Sequence, residues 1–108
     1  MVPEDYLAEA RSVASAVDYQ EGSVVSRKLL ERPTLTLTVF AFDRGQSLSP
    51  HSVPGAAIIQ LLEGRAEVEI GGRAHTVRGG ETILLPGGVE HAVRALERFK
   101  MLLTLLRV

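Results

Sequence analysis

After Gly22 the chain alternates between apolar and polar side chains with period two and keeps that period to its end. Successive side chains on an extended backbone point to opposite faces, so period two marks strands. Val24–Leu30 and Leu35–Phe42 read as the first two strands, the second rich in Thr, Val and Phe and bounded by Pro33 and Gly45. Ala56–Leu62 and Arg65–Ile70 follow, and in the latter Ala66, Val68 and Ile70 alternate with Arg65, Glu67 and Glu69. Gly71-Gly72 then predicts a two-residue hairpin turn, because both central positions of a type I′ turn need positive φ. That turn pairs residue 70 with 73 and residue 68 with 75, joining Arg65–Ile70 to Arg73–Arg78. Thr82–Pro86, His91–Ala95 and Phe99–Leu106 complete about eight short strands. No helical stretch separates them, which excludes βαβ units and predicts an all-β sandwich or jelly-roll barrel.

The start of the chain follows a different period. From Pro3 to Val17 the pattern predicts a helix, with Pro3 in the first turn, Glu4 and Asp5 complementing the helix dipole, and Leu7, Ala10, Ala14 and Val17 on one face. Residues 1–22 are therefore expected to form a helix and lead-in, and residues 23–108 a barrel, within one domain. The last strand is apolar on both faces apart from Lys100 and Thr104. One face fills a barrel. The other needs a cover that a helix of small side chains hardly supplies, so a homodimer is expected.

Composition narrows the classes of function. The chain has 108 residues, 45% hydrophobic and 23% charged, an ordinary globular mix long enough for a core without disulfides. Its net charge is -1 and its basic residues are scattered, so nucleic acid is not an expected partner. Cysteine is absent, which excludes disulfides, thiolate metal sites and thiol catalysis. No run approaches the ~18 apolar residues of a membrane span. Acidic residues stand where a signal peptide would be basic, so a cytoplasmic protein is expected.

The most distinctive stretch is Gly80-Glu81-Thr82-Ile83-Leu84-Leu85-Pro86-Gly87-Gly88-Val89-Glu90-His91. An apolar run enters a turn closed by Pro86, Gly87 and Gly88, and a new strand opens with His91. Five residues lie between Gly80 and Pro86, one between Pro86 and Gly88, and two between Gly88 and His91. Upstream, Gly45 is followed after five residues by His51 and at a distance by Gly64. This spacing resembles the two motifs of the cupin superfamily, in the small single-domain conserved-barrel form. The resemblance covers Gly45 to His91 and implies a double-stranded β-helix, the jelly-roll barrel of that family, with a short N-terminal helix.

It also implies a metal site of three imidazoles and one carboxylate, a donor set suited to iron, manganese, nickel or zinc. Here His51 matches the first ligand and His91 the last, while Val53 and Ala57 occupy the positions of the second imidazole and the carboxylate. Four protein ligands in the usual arrangement are therefore excluded. Gln60 is the candidate third ligand, although alternation gives it the opposite parity to Ala57. Three readings are open for the histidine pair: remnants of an ancestral site, a weak two-histidine metal site, or a metal-free acid or base. His75, on the face of Val68, reads as a packing residue. Arg27, Lys28 and Arg94 would favour an acidic ligand if they pointed inward.

The expected lumen lining is Phe40 or Phe42, Ile59, Leu61, Leu84 and Met101, an apolar pocket suited to a small organic molecule. The expectation is thus a small-molecule-binding cupin with a degenerate metal site, any divalent metal being weakly held. The alternative is a metal-dependent oxygenase, isomerase or lyase acting on a small organic substrate.

Overall fold

The computed structural model describes residues 8–107. Among them run nine strands: β1 (Val24–Arg32), β2 (Leu35–Phe42), β3 (Ser47–His51), β4 (Ala57–Glu63), β5 (Arg65–Ile70), β6 (Arg73–Arg78), β7 (Thr82–Leu85), β8 (His91–Ala95) and β9 (Phe99–Leu106). They form a five-stranded sheet in the order β1-β2-β9-β4-β7 and a four-stranded sheet in the order β3-β8-β5-β6. Every pairing is antiparallel. The protein is an all-β jelly roll.

Pleating decides what lies between the sheets. Phe42 of β2, Ile59 and Leu61 of β4, Leu85 of β7, and Phe99 and Met101 of β9 meet Ala66 and Val68 of β5, Val77 of β6, and Val93 and Ala95 of β8 in one core. Phe42 and Phe99 are cross-strand partners, and their rings stack with centroids 4.4 Å apart and planes 16° from parallel. Gly71 and Gly72 take φ of 56° and 82°, so the β5–β6 turn pairs Ile70 with Arg73 and Val68 with His75. Leu84 is the exception to the expected lining. It is 66% exposed on the outer face of the edge strand β7, and Leu85 takes the inward position. The strand is four residues long, and which parity faces inward depends on its pairing with β4, where Leu85 opposes the buried Ala57.

The helical expectation for Pro3–Val17 reduces, among the described residues, to a single 3-10 turn at Ala14–Ala16; residues 1–7 lie outside them. With small apolar side chains and β-branched Val13 and Val17, the segment gains little as an isolated helix. It gains more as a strap across the outer face of the five-stranded sheet, where Val17 is buried with Leu29, Val39 and Ala41. Tyr19 pins it: its hydroxyl donates to Glu63 at 2.7 Å, and Arg98 and Lys100 sit 5.2 and 5.1 Å from its ring centre. The buried Lys100 ammonium donates to the Ala14 carbonyl at 2.7 Å. The strap covers β1, β2 and β9 and reaches Leu62 and Glu63 at the end of β4. Toward β7 the outer face carries an open apolar strip, with Leu84 and Leu106 exposed and Ile58 half-buried, beside the exposed polar pair Gln60 and Thr82.

Asp43 fixes the end of the strap, accepting from Arg98 at 2.8 Å and from the Gly22 amide at 2.7 Å. The Arg98 hydrogen bond, then that of Gly22, hold its carboxyl down to about 2 against an ordinary 3.8. A depressed carboxylate stabilises the fold above its unfolded value and loses that contribution as pH falls through the folded one. Asp43→Asn is therefore expected to be less stable than the parent at pH 6 and to lose less stability between about pH 4 and pH 2. Urea denaturation across that range checks it, and parallel pH profiles for the two proteins would refute it.

Candidate functional site

His51 ends β3 and His91 opens β8, and the two residues are direct cross-strand partners. Cross-strand partners project to the same face, so the rings meet, their centroids 4.4 Å apart and inclined at 62°. The turns of the motif set this position. The Gly88 amide donates to the Val53 carbonyl at 2.8 Å and the Gly71 amide to the Glu90 carbonyl at 2.9 Å, tying the β7–β8 loop to the β3–β4 loop and to the β5–β6 hairpin.

The rings differ in surroundings. His51 is exposed, and its Nδ1 lies 2.8 Å from the Ser49 carbonyl oxygen, which accepts a hydrogen bond from Nδ1–H. His91 is 5% exposed, and its Nδ1 is buried with no hydrogen-bond partner among the described residues. Burial lowers its pKa below the ordinary value; the nearby His51 adds to this, and a backbone hydrogen bond with Val89 acts the other way. Burial therefore favours the neutral imidazole.

Topology places a further polar group at this end of the sandwich. β3 ends and β8 begins at the histidines, as β7 ends at Leu85, β4 begins at Ala57 and β9 ends beyond Leu105. Leu85 and Leu105 both pair with Ala57, and Leu105 pairs with Thr36. Thr36 has the parity of Phe40 and Phe42, faces inward, is 4% exposed, and its Oγ1 is buried without a partner. Two unsatisfied buried polar atoms toward one end of the sandwich are uncommon enough to demand an explanation. Sequence reading passed over Thr36, though its parity with Phe40 and Phe42 was available to show it.

The other candidates lie elsewhere. Gln60 is exposed, between Thr82 and Leu102 on the outer face of the five-stranded sheet, while its neighbours Ile59 and Leu61 are buried. Regular pairing through residues 57–61 leaves no bulge to turn it inward. Ala57 is buried and faces inward; Val53 is half-buried in the loop. His75 is half-buried opposite Val68. Arg94 is exposed and contacts Glu67 at 3.3 Å, Lys28 pairs with Glu31 at 2.9 Å, and Arg27 pairs with Val39 on the strap side. No group of three or more His, Cys, Asp or Glu close enough to hold a metal occurs among the described residues. The donors present do not fit a three-imidazole, one-carboxylate centre.

Residues 38–105 match the family model of the cupin domain. The chain belongs to the cupin family. In fold, this cupin is similar to a conserved protein of unknown function from Streptococcus pyogenes, with 37% identity, TM-score 0.89, and 94% of this chain and 89% of that one covered. It is also similar to a cupin 2 conserved barrel domain protein from Leptotrichia buccalis, with 41% identity and TM-score 0.86 over 88% of this chain; the match spans 46% of that protein. KdgF from Halomonas sp. shares the fold at 23% identity and TM-score 0.73, with 94% of this chain and 96% of that one covered. No protein of curated function matches this cupin. No helix among the described residues is long and apolar enough to cross a membrane.

Proposed function

We propose that this cupin binds a small organic molecule at the mouth of its barrel, the two histidines serving as polar anchors left from a metal site with half its ligands replaced. The observation that carries this reading is the histidine pair itself: two rings 4.4 Å apart, one with a buried unpartnered nitrogen, and, among the described residues, no third metal-ligating side chain beside them. Two imidazoles hold a divalent ion weakly and leave most of its sphere to water or ligand. An apolar interior with a few convergent polar groups suits a small organic guest.

A second reading, a metal-dependent oxygenase, isomerase or lyase, draws on one observation. The Nδ1–H of His51 donates to the Ser49 carbonyl, an arrangement typical of imidazoles that ligate through Nε2. Manganese, iron, nickel or zinc would then need its remaining ligands from the substrate or from water.

The proposal includes a homodimer. The open strip of Ile58, Leu84 and Leu106 lies beyond the reach of the N-terminal strap, and a second copy presenting the same strip closes it about a two-fold axis. Native mass spectrometry of untagged protein reads both quantities. The expected result is a dimer carrying well under one metal per chain, with any metal lost in His51→Ala and in His91→Ala. One metal per chain surviving dialysis, and lost in both variants, would establish the second reading instead. A monomer at micromolar concentration would remove the dimer.

A further inference from the structure

Across the four-stranded sheet, the pairings of β3 with β8, β8 with β5 and β5 with β6 align His51, His91, Ile70 and Arg73 in one row. Ile70 packs against the core between the sheets, so the row faces inward, and Arg73 stands on the face of the histidine pair. Strands are about 4.8 Å apart, which puts the Arg73 backbone roughly 10 Å from that of His91. A guanidinium on its extended stem spans much of that distance. The next row down, Leu48, Val93, Val68 and His75, is largely apolar.

Arg73, like Arg44 and Arg78, has a guanidinium without a partner among the described residues, and of these three it alone lies on an inward-facing row of the four-stranded sheet. Arg65 contacts Glu97, Arg94 contacts Glu67 and Arg98 contacts Asp43, whereas Arg73 is exposed and has no hydrogen bond or ion pair among the described residues. No carboxylate shares its row. Glu69 is the cross-strand partner of Ala74 and Ala92 and so projects from the opposite face, and Glu31, beside Thr36, is held by Lys28. The mouth therefore combines an uncompensated cation, the buried unpartnered Nδ1 of His91, and the buried unpartnered hydroxyl of Thr36 on the facing sheet.

We propose that the guest of this mouth is a small organic monocarboxylate, its carboxylate held by Arg73 and its apolar body lying against the half-buried Ile70, with a polar substituent toward His91 or Thr36. The inference rests on the small-molecule reading above and adds the ligand's charge. A guanidinium binds a carboxylate through two parallel, charge-assisted hydrogen bonds that an amide cannot reproduce.

The test uses the full chain, 15N-labelled and stripped of metal on a chelating resin, titrated with benzoate and hexanoate, each against its primary amide. The expected result is that backbone signals of Ile70 to Arg73 and of His91 shift with both acids, and that each acid binds about tenfold tighter than its amide. Arg73→Gln, at an exposed edge-strand position, should abolish that preference, and Arg94→Gln, on the opposite face, should keep it. Equal binding of acid and amide, or a preference that survives Arg73→Gln, would overturn the carboxylate assignment while leaving a small-molecule site standing. Absence of shifts with all four compounds would overturn the assignment and the small-molecule reading together.

Discussion

Phe99→Ala is expected to destabilise the protein by about 4 kcal/mol and to lower its melting temperature by about 15–30 °C. Phe99 is fully buried, stacks on Phe42 from the neighbouring strand, and closes the end of the barrel opposite the histidines, where β8 ends and β9 begins. Removing the ring deletes its apolar burial, leaves a cavity between sheets that cannot collapse without breaking strand pairing, and removes an aromatic pair worth about 0.5–1.5 kcal/mol beyond area. Met101→Leu, one inward position along the same strand, keeps its volume and is expected to cost under about 1.5 kcal/mol. Thermal and urea denaturation followed by circular dichroism separate the two. A cost near 1 kcal/mol for Phe99→Ala would mean that this end of the barrel is loosely packed.

The contrast shows what the sequence carried. Strands with clean alternation, such as Arg65–Ile70, and turns with a strict φ requirement, such as Gly71-Gly72, could be read directly, because one physical constraint decides each. β3 escaped notice. Its Ser47, Ser49 and Pro50 lack the alternating β-branched pattern, and Pro50 is tolerated there because β3 is an edge strand whose pairing shifts register between Leu48 and His51. Leu84 was misplaced for a related reason: in a run of Ile83, Leu84 and Leu85 hydrophobicity does not distinguish the faces, and only pairing with β4 does. The strap at residues 13–19 answers to tertiary contacts with Val39, Ala41 and Tyr19's partners, which no local propensity encodes.

For the site, the motif spacing located His51 and His91, and alternation alone turned Gln60 away. Arg73 was also within reach. The hairpin register that placed His75 on the face of Val68 places Arg73 on the face of Ile70 by the same step, but the row linking Ile70 to His91 and His51 depends on β8 lying between β3 and β5, a long-range pairing. The local pairs were legible and the sheet order was not.

Gly87→Ala is expected to cost about 2–3 kcal/mol and to separate the histidine rings. A Cβ at Gly87 would sit against the Pro54 carbonyl oxygen and 3.0 Å from that of Gly55, so the obstruction is backbone that cannot swing aside. Either the β7–β8 loop or the β3–β4 loop must move, and with it the Gly88–Val53 hydrogen bond that holds His91 beside His51. Gly88 offers the control. Its φ is 76°, but a Cβ there meets nothing within 4 Å, so the penalty is conformational only. Asparagine tolerates that left-handed region, and Gly88→Asn is expected to cost about 1 kcal/mol and to leave the rings in contact. Urea denaturation reads the stabilities, and the ring-proton chemical shifts of the two histidines, mutually perturbed at a 4.4 Å centroid separation, read the geometry. Parent-like stability and ring shifts in Gly87→Ala would show that the mouth does not depend on the close approach of these two loops.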